Sequence, residues 1–215
     1  MGAPLFLFDF DQTLVAYDFR KRLPALARGT GVSQYRLASS WWAGGHEAAA
    51  EAGDPDSTEA YLAAFREVTG AALDREQWIA ARRAAMTPIP GSIRALRLAA
   101  TLGTVSLLSN NPIIFRDCLP ELEPEVAAIL GGNDLVSAVL GARKPARRIY
   151  TRALGWFGVD ARDAMLVDDA GANIAGATAA GLSTFHFDRD RPGRDADALE
   201  RAIRDFAADV ARRHG

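Results

Sequence analysis

The sequence predicts an α/β fold, a doubly wound parallel sheet with helices on both faces, interrupted by one helical insertion. Three observations predict it. Short apolar runs without helical period recur at residues 5–10, 104–109, 164–169 and 183–187, the pattern of buried strands. Segments of helical period separate most of these runs, and such alternation favours a sheet covered on both faces. Residues 15–88 break the alternation: they are rich in alanine, poor in β-branched runs and striped at helical spacing.

The first run, LFLFDF at 5–10, ends in acid, and a strand with a charged carboxyl end follows. Within the insertion, Tyr61, Leu62, Phe65 and Val68 form one stripe, and Asp56 or Ser57 is positioned to cap that helix. Pro88-Ile89-Pro90-Gly91 closes the insertion as a linker. The spacing then predicts a helix over 91–101, a strand over 104–109 and a further strand over 135–140 (LVSAVL). A helix over 145–157 is expected to carry Pro145 in its first turn. Strand 164–169 precedes a small-residue helix over 171–180, with Gly181 as its stop. The last segment, 195–213, places Leu199, Ile203, Phe206 and Val210 on one stripe that packs on the sheet. The organisation expected is a core of 1–14 and 89–215 with a helical module of 15–88 set into it.

Composition narrows the function classes. The chain has 215 residues, 25 Lys and Arg against 27 Asp and Glu, and 49% hydrophobic residues, the balance of a globular protein with a core. A net charge of −2 speaks against a nucleic-acid binder driven by phosphate neutralisation. Cys118 is the only cysteine, so a disulfide scaffold is excluded. The apolar start is interrupted by Asp9 and Asp11, too short for a membrane span and without an export signal. A cytoplasmic location is expected.

Four strand-end constellations carry chemistry. Asp9 and Asp11, two positions apart, can point to one side beyond the first strand. Their repulsion is costly unless one takes a proton or a cation lies between them. That arrangement serves a nucleophile beside a general acid; Asp11-Gln12-Thr13 equally reads as a helix-capping turn. Asp168-Asp169, followed by Asn173, suits Mg²⁺, a hard cation that takes oxygen ligands. One of the two acids could instead cap the next helix. Ser109-Asn110 could hold a phosphoryl oxygen, or be only a turn. Lys144 could screen clustered carboxylates, or be a solvated lysine.

In this order and context, FDFDQTL with Asp9 and Asp11, SLLSNN with Ser109, GARKPARRIY with Lys144 and LVDDAGANIAG with Asp168, Asp169 and Asn173 resemble the four motifs of the haloacid dehalogenase-like (HAD) hydrolases. The resemblance runs from residue 5 to about 187 and implies a Rossmann-like core with 15–88 as a helical C1 cap. Within the family the chain is most similar to small sugar-phosphate phosphatases of the α-glucose-1-phosphate phosphatase type. The resemblance implies that Asp9 is the nucleophile and forms an aspartyl-phosphate. It also implies that Asp11 is the general acid and base, and that Ser109, Asn110 and Lys144 hold the phosphoryl group. Mg²⁺ is implied on Asp9, the Asp11 backbone carbonyl and Asp169, with Asp168 in its inner or outer shell. The dehalogenase branch lacks the acid at the position of Asp11, which a phosphate ester needs, so a phosphatase is expected. Asn173 stands where many relatives carry an acid. The implied partner is a small phosphorylated metabolite. A phosphomutase shares the Asp9–Asp11 pair, and a receiver-type signalling module fits only remotely because it lacks a cap.

Three further candidates remain, two of them in the insertion. Trp41-Trp42-Ala43-Gly44-Gly45-His46-Glu47 reads as a ring-facing loop or, more in keeping with aromatic residues generally, as core with a surface turn. Asp18 and Arg20 lie near the expected mouth, and Arg20 equally suits solvent. His186, in the last strand, reads as structural.

Overall fold

The computed structural model describes residues 3–215, without the side chains of 192–194. Its centre is β1 (Leu5–Phe8), every residue of which is buried. Alternation of side chains across a strand sends Phe6 and Phe8 to one face and Leu5 and Leu7 to the other. A strand apolar on both faces belongs inside a parallel sheet. β1 pairs in parallel with β4 (Thr104–Leu107) on one side and β5 (Ala164–Asp168) on the other, and β6 (Ser183–His186) extends the β5 edge. The order β4-β1-β5-β6 brings three carboxyl ends together, where ligands sit in open α/β sheets.

Helices α6 (Pro90–Leu102) and α12 (Pro192–His214) cover the Phe6–Phe8 face. The predicted stripe of Leu199, Ile203, Phe206 and Val210 is buried there, with Phe206 edge-on to Phe6 at 5.7 Å. The two helices meet at Gly91, where a Cβ would stand 2.6 Å from the Ala196 methyl; only glycine permits that approach. Helices α10 (Arg147–Phe157) and α11 (Gly171–Ala179) cover the Leu5–Leu7 face through Ile149, Tyr150, Ala153 and Ala177. Pro145 lies outside α10, not in its first turn: Ala146 is the N-cap, and the Lys144 backbone is held by the Asn110 amide.

The chain leaves the core through β2 (Val15–Tyr17) and returns through β3 (Met86–Pro88), which pair antiparallel, Val15 opposite Pro88. Between them lie α1 (Phe19–Thr30), α2 (Gln34–Leu37), a π-turn (Ala38–Trp42), α3 (His46–Glu51), α4 (Thr58–Thr69) and α5 (Arg75–Ala84). Ser57 caps α4, and Asp74 with Gln77 forms a capping box on α5. The two short strands are absent from the sequence prediction, because three residues bearing Pro88 carry no strand period. The helices rest on α7 (Ile113–Leu122): Thr58 donates to Asp117 at 2.5 Å and Arg75 pairs with Glu121. One apolar cluster runs without a break from Trp41, Phe65 and Trp78 through Phe115 to Phe8.

After α8 (Pro124–Leu130), the predicted strand at 135–140 is replaced by a single parallel bridge, Ser109 to Val136, and a helical turn, α9 (Ser137–Leu140). The physical reason is local. The Ser137 hydroxyl accepts from the Asn111 backbone N–H at 3.1 Å, and Gly141 stops the turn at φ 58°. Those ties bend the chain away from the sheet edge. Among the described residues no helix is long and apolar enough to cross a membrane.

Candidate active site

The loop after β1 is a tight turn. The N–H groups of Thr13, Leu14 and Val15 all donate to the Phe10 carbonyl, and Gln12 takes a left-handed φ of 62°, a conformation that costs a non-glycine residue of order 1–3 kcal/mol. The Gln12 side chain holds it by bonding both the carbonyl and the N–H of Tyr17, at 2.6 and 3.4 Å. The turn sets Asp9 and Asp11 beyond the end of β1, where the Asp9 N–H still donates to the Val167 carbonyl at 2.9 Å.

Lys144 joins the strand ends. Its Nζ lies 3.0 Å from Asp9 Oδ1 and 2.5 Å from Asp168 Oδ2, and all three residues are buried. Asn110 clasps the Lys144 backbone with both atoms of its amide, accepting from the N–H at 2.8 Å and donating to the carbonyl at 3.0 Å. Asn110 is thus committed through its side chain to placing Lys144. Asp168 is fully enclosed and accepts from Lys144, Asn173 and the Ala170 N–H. Asn173 therefore works as the donor that fixes Asp168, a role an acid there could fill only when protonated. Ser109 is buried, and its Oγ accepts from Asn111 Nδ2 at 3.0 Å.

Charge in this cluster is unbalanced. Burial pushes the Asp9 carboxyl up to about 7; Lys144 works against that and the Asp168 charge works with it. Burial also raises Asp169, again with Asp168, while Arg189 at 3.2 Å opposes. Burial alone would lower Lys144, but Asp9 and Asp168 outweigh it and hold the ammonium above its ordinary value. Ligand oxygens of Asp9, Asp168 and Asp169 lie within 4.8 Å of one another. Three carboxylates facing one ammonium fit a hard divalent cation with oxygen ligands.

Two functional candidates from the insertion resolve as structure. Asp18 caps α1 and pairs with the exposed Arg20. Trp41 is core, its Nε1 donating to Glu47 at 2.5 Å, with His46 stacked on it at the surface. His186 is exposed, not enclosed in its strand, and its Nε2 lies 2.8 Å from the Asp169 carbonyl. Sequence reasoning missed Arg82, which reaches Asp11, and Asn111, which braces Ser109. It also missed Glu51, which lies 2.6 Å from the guanidinium of Arg143, the neighbour of Lys144.

A parallel α/β sheet with carboxylates and one lysine gathered beyond its central strand defines an enzyme built around a carboxylate cluster. The chain belongs to the haloacid dehalogenase-like hydrolase family, whose model matches residues 3–181. It is 31% identical to a ribulose-1,5-bisphosphate 5-phosphatase of Halopiger xanaduensis, over 92% of this chain and 89% of that protein. The fold is shared with the HAD family enzyme bt-2542 of Bacteroides thetaiotaomicron, solved as a complex with magnesium and inorganic phosphate. That match has a TM-score of 0.69 at 18% identity, covering 87% of this chain and 96% of that one. An HAD-like family hydrolase of Porphyromonas gingivalis matches with a TM-score of 0.67 at 17% identity, over 86% and 90% of the two chains.

Proposed function

We propose that the protein is a Mg²⁺-dependent phosphatase that hydrolyses a small phosphomonoester, a sugar phosphate above all, through an aspartyl-phosphate on Asp9. The observation that carries it is the buried Asp9–Lys144–Asp168 array with Asp11 two positions beyond the nucleophile. The phosphatase relative supports the same reaction class. In this reading residues 1–14 and 89–215 form the catalytic core, and 15–88 a cap that closes over the substrate.

Asp9 attacks phosphorus in line as the bond to the ester oxygen breaks, and Asp11 gives that oxygen its proton. Asp11 then takes a proton from the water that attacks the aspartyl-phosphate, releasing phosphate and restoring Asp9. Lys144 Nζ and the Ser109 hydroxyl hold the non-bridging oxygens; Ser109 Oγ accepts from Asn111, which leaves its O–H to donate to the substrate. Asp9 and Asp169, with the Asp11 carbonyl, would hold the cation, and Asp168 braces it through Lys144 or directly. When bound, Mg²⁺ offsets the charge gathered on the phosphoryl oxygens.

A panel of phosphorylated metabolites with Mg²⁺ tests the reading. Phosphate release from a sugar phosphate, stopped by EDTA, is expected. An isomerised sugar phosphate without phosphate release would mean a mutase, and an unchanged rate in EDTA would remove the cation.

Metal binding should also show in stability. Asp9 stands near 7 in the folded chain against an ordinary 3.8. A raised carboxyl stabilises the fold at low pH, and that contribution is lost as pH rises through the folded value. Mg²⁺ takes the place of the proton, so its shift of the melting temperature should be larger at about pH 8 than at about pH 5. Equal shifts at both would contradict Asp9 as a ligand.

A further inference from the structure

Arg82 stands where the mechanism needs no cation. It lies in the last turn of α5 and is 2% exposed. One nitrogen, Nη2, bridges both oxygens of Asp11 at 2.7 and 2.6 Å and lies 3.5 Å from Asn111 Oδ1. The guanidinium is packed over the Tyr17 ring at 4.3 Å and the Phe115 ring at 5.1 Å. Its Nε is buried without a partner.

These facts define a task. A desolvated guanidinium with an unfilled donor carries a penalty that a ligand oxygen would relieve. Lys144 and Ser109 serve the oxygens of the transferring group, whereas Asp11 marks the side from which the alcohol departs. A cation seated on Asp11 therefore faces the leaving group. Once Asp11 turns to the leaving oxygen, Arg82 keeps only the long contact to Asn111 among its described partners, and an oxyanion on the substrate can supply the missing acceptor. Two aromatic faces keep water off the guanidinium and hold its fork in place, which strengthens a charge-assisted bond.

We propose that Arg82 is a specificity-determining residue that binds a second oxyanion, phosphate or carboxylate, on the leaving-group portion of the substrate. The substrate class is then a sugar bisphosphate or a phosphorylated sugar acid rather than a neutral-tailed monophosphate. The proposal rests on the phosphatase reading.

The test compares fructose bisphosphate, phosphogluconate and glucose phosphate in the wild type, Arg82→Gln and Arg82→Lys. The wild type is expected to favour one or both of the doubly anionic substrates, and the favoured one tells second phosphate from carboxylate. In Arg82→Gln the ratio of its kcat/KM to that of glucose phosphate should fall about 100-fold, chiefly through KM, as for loss of a buried charge pair. Arg82→Lys, which keeps the charge without the fork, should fall about tenfold, and it decides the matter if the glutamine variant does not fold. A ratio that stays constant in a folded variant overturns the proposal, and so does a wild type without preference. Calorimetric binding to Asp9→Asn, with and without Arg82→Gln, reads the same preference without turnover. If no substrate releases phosphate, the phosphatase reading fails, and the calorimetry still decides for or against the Arg82 subsite.

Discussion

Asp9→Asn is expected to lower phosphate release from p-nitrophenyl phosphate on the order of 10⁴-fold or more, the scale seen when a covalent nucleophile is removed. The substitution keeps the shape of the side chain and its Oδ1, which lies 3.0 Å from Lys144. It deletes the negative charge that attacks phosphorus in the proposed mechanism. The fold should survive, because in the metal-free chain burial already holds the Asp9 carboxyl up at about 7. Above that pH the wild type carries a buried carboxylate at a cost, so Asp9→Asn should melt at the same temperature or higher at about pH 8. Activity retained within about tenfold would be incompatible with Asp9 as nucleophile, since covalent catalysis does not survive its loss. A collapse of the melting temperature would point to a structural role instead.

The second large effect is expected at Lys144. Its side chain is 1% exposed and lies between Asp9 and Asp168. Lys144→Met keeps the length and removes the only ammonium that faces the pair among the described residues. Breaking a buried ion pair from one side typically destabilises by about 3–5 kcal/mol, because the remaining charge has no compensation. Here two carboxylates remain. Asp9 also loses the group that pulls its carboxyl down, so its folded value moves further up. The stability loss should therefore grow as pH rises, and be smaller at about pH 5 than at about pH 8 in urea unfolding. Adding Asp9→Asn to Lys144→Met should recover part of it, a coupling visible in a double-mutant cycle. Strictly additive effects would mean that Lys144 and Asp9 do not act on each other. Activity should fall in Lys144→Met whatever the pH, since in the proposed mechanism the phosphoryl oxygens lose the Lys144 cation.

Much of this architecture was legible in the residues, for a physical reason. A strand buried on both faces must be apolar throughout, so the acids that end LFLFDF and AMLVDD stand out sharply. The sheet then carries those ends to one place. Position along the chain hid the rest. Arg82 lies 71 residues from Asp11, and nothing local separates it from Arg83, which is exposed. Only the packing of α5 against Tyr17 and Phe115 tells the two apart. The β2–β3 ribbon escaped detection because its pairing, not its composition, makes it a strand pair. Residues 135–140 misled for the opposite reason: LVSAVL has strand composition, but the ties at Asn111 and Gly141 decide its path.

The grip of Gln12 on Tyr17 has a mechanical consequence. Tyr17 ends the strand that carries the chain into the insertion, and both hydrogen bonds from Gln12 arrive there. Gln12 itself is the residue next to Asp11, in a turn with little conformational slack. A rotation of the helical insertion about its ribbon would therefore pull on the loop that bears Asp11, the proposed proton donor. On the proposed mechanism, a substrate too bulky to let the helices seat over the core is then expected to bind without being cleaved.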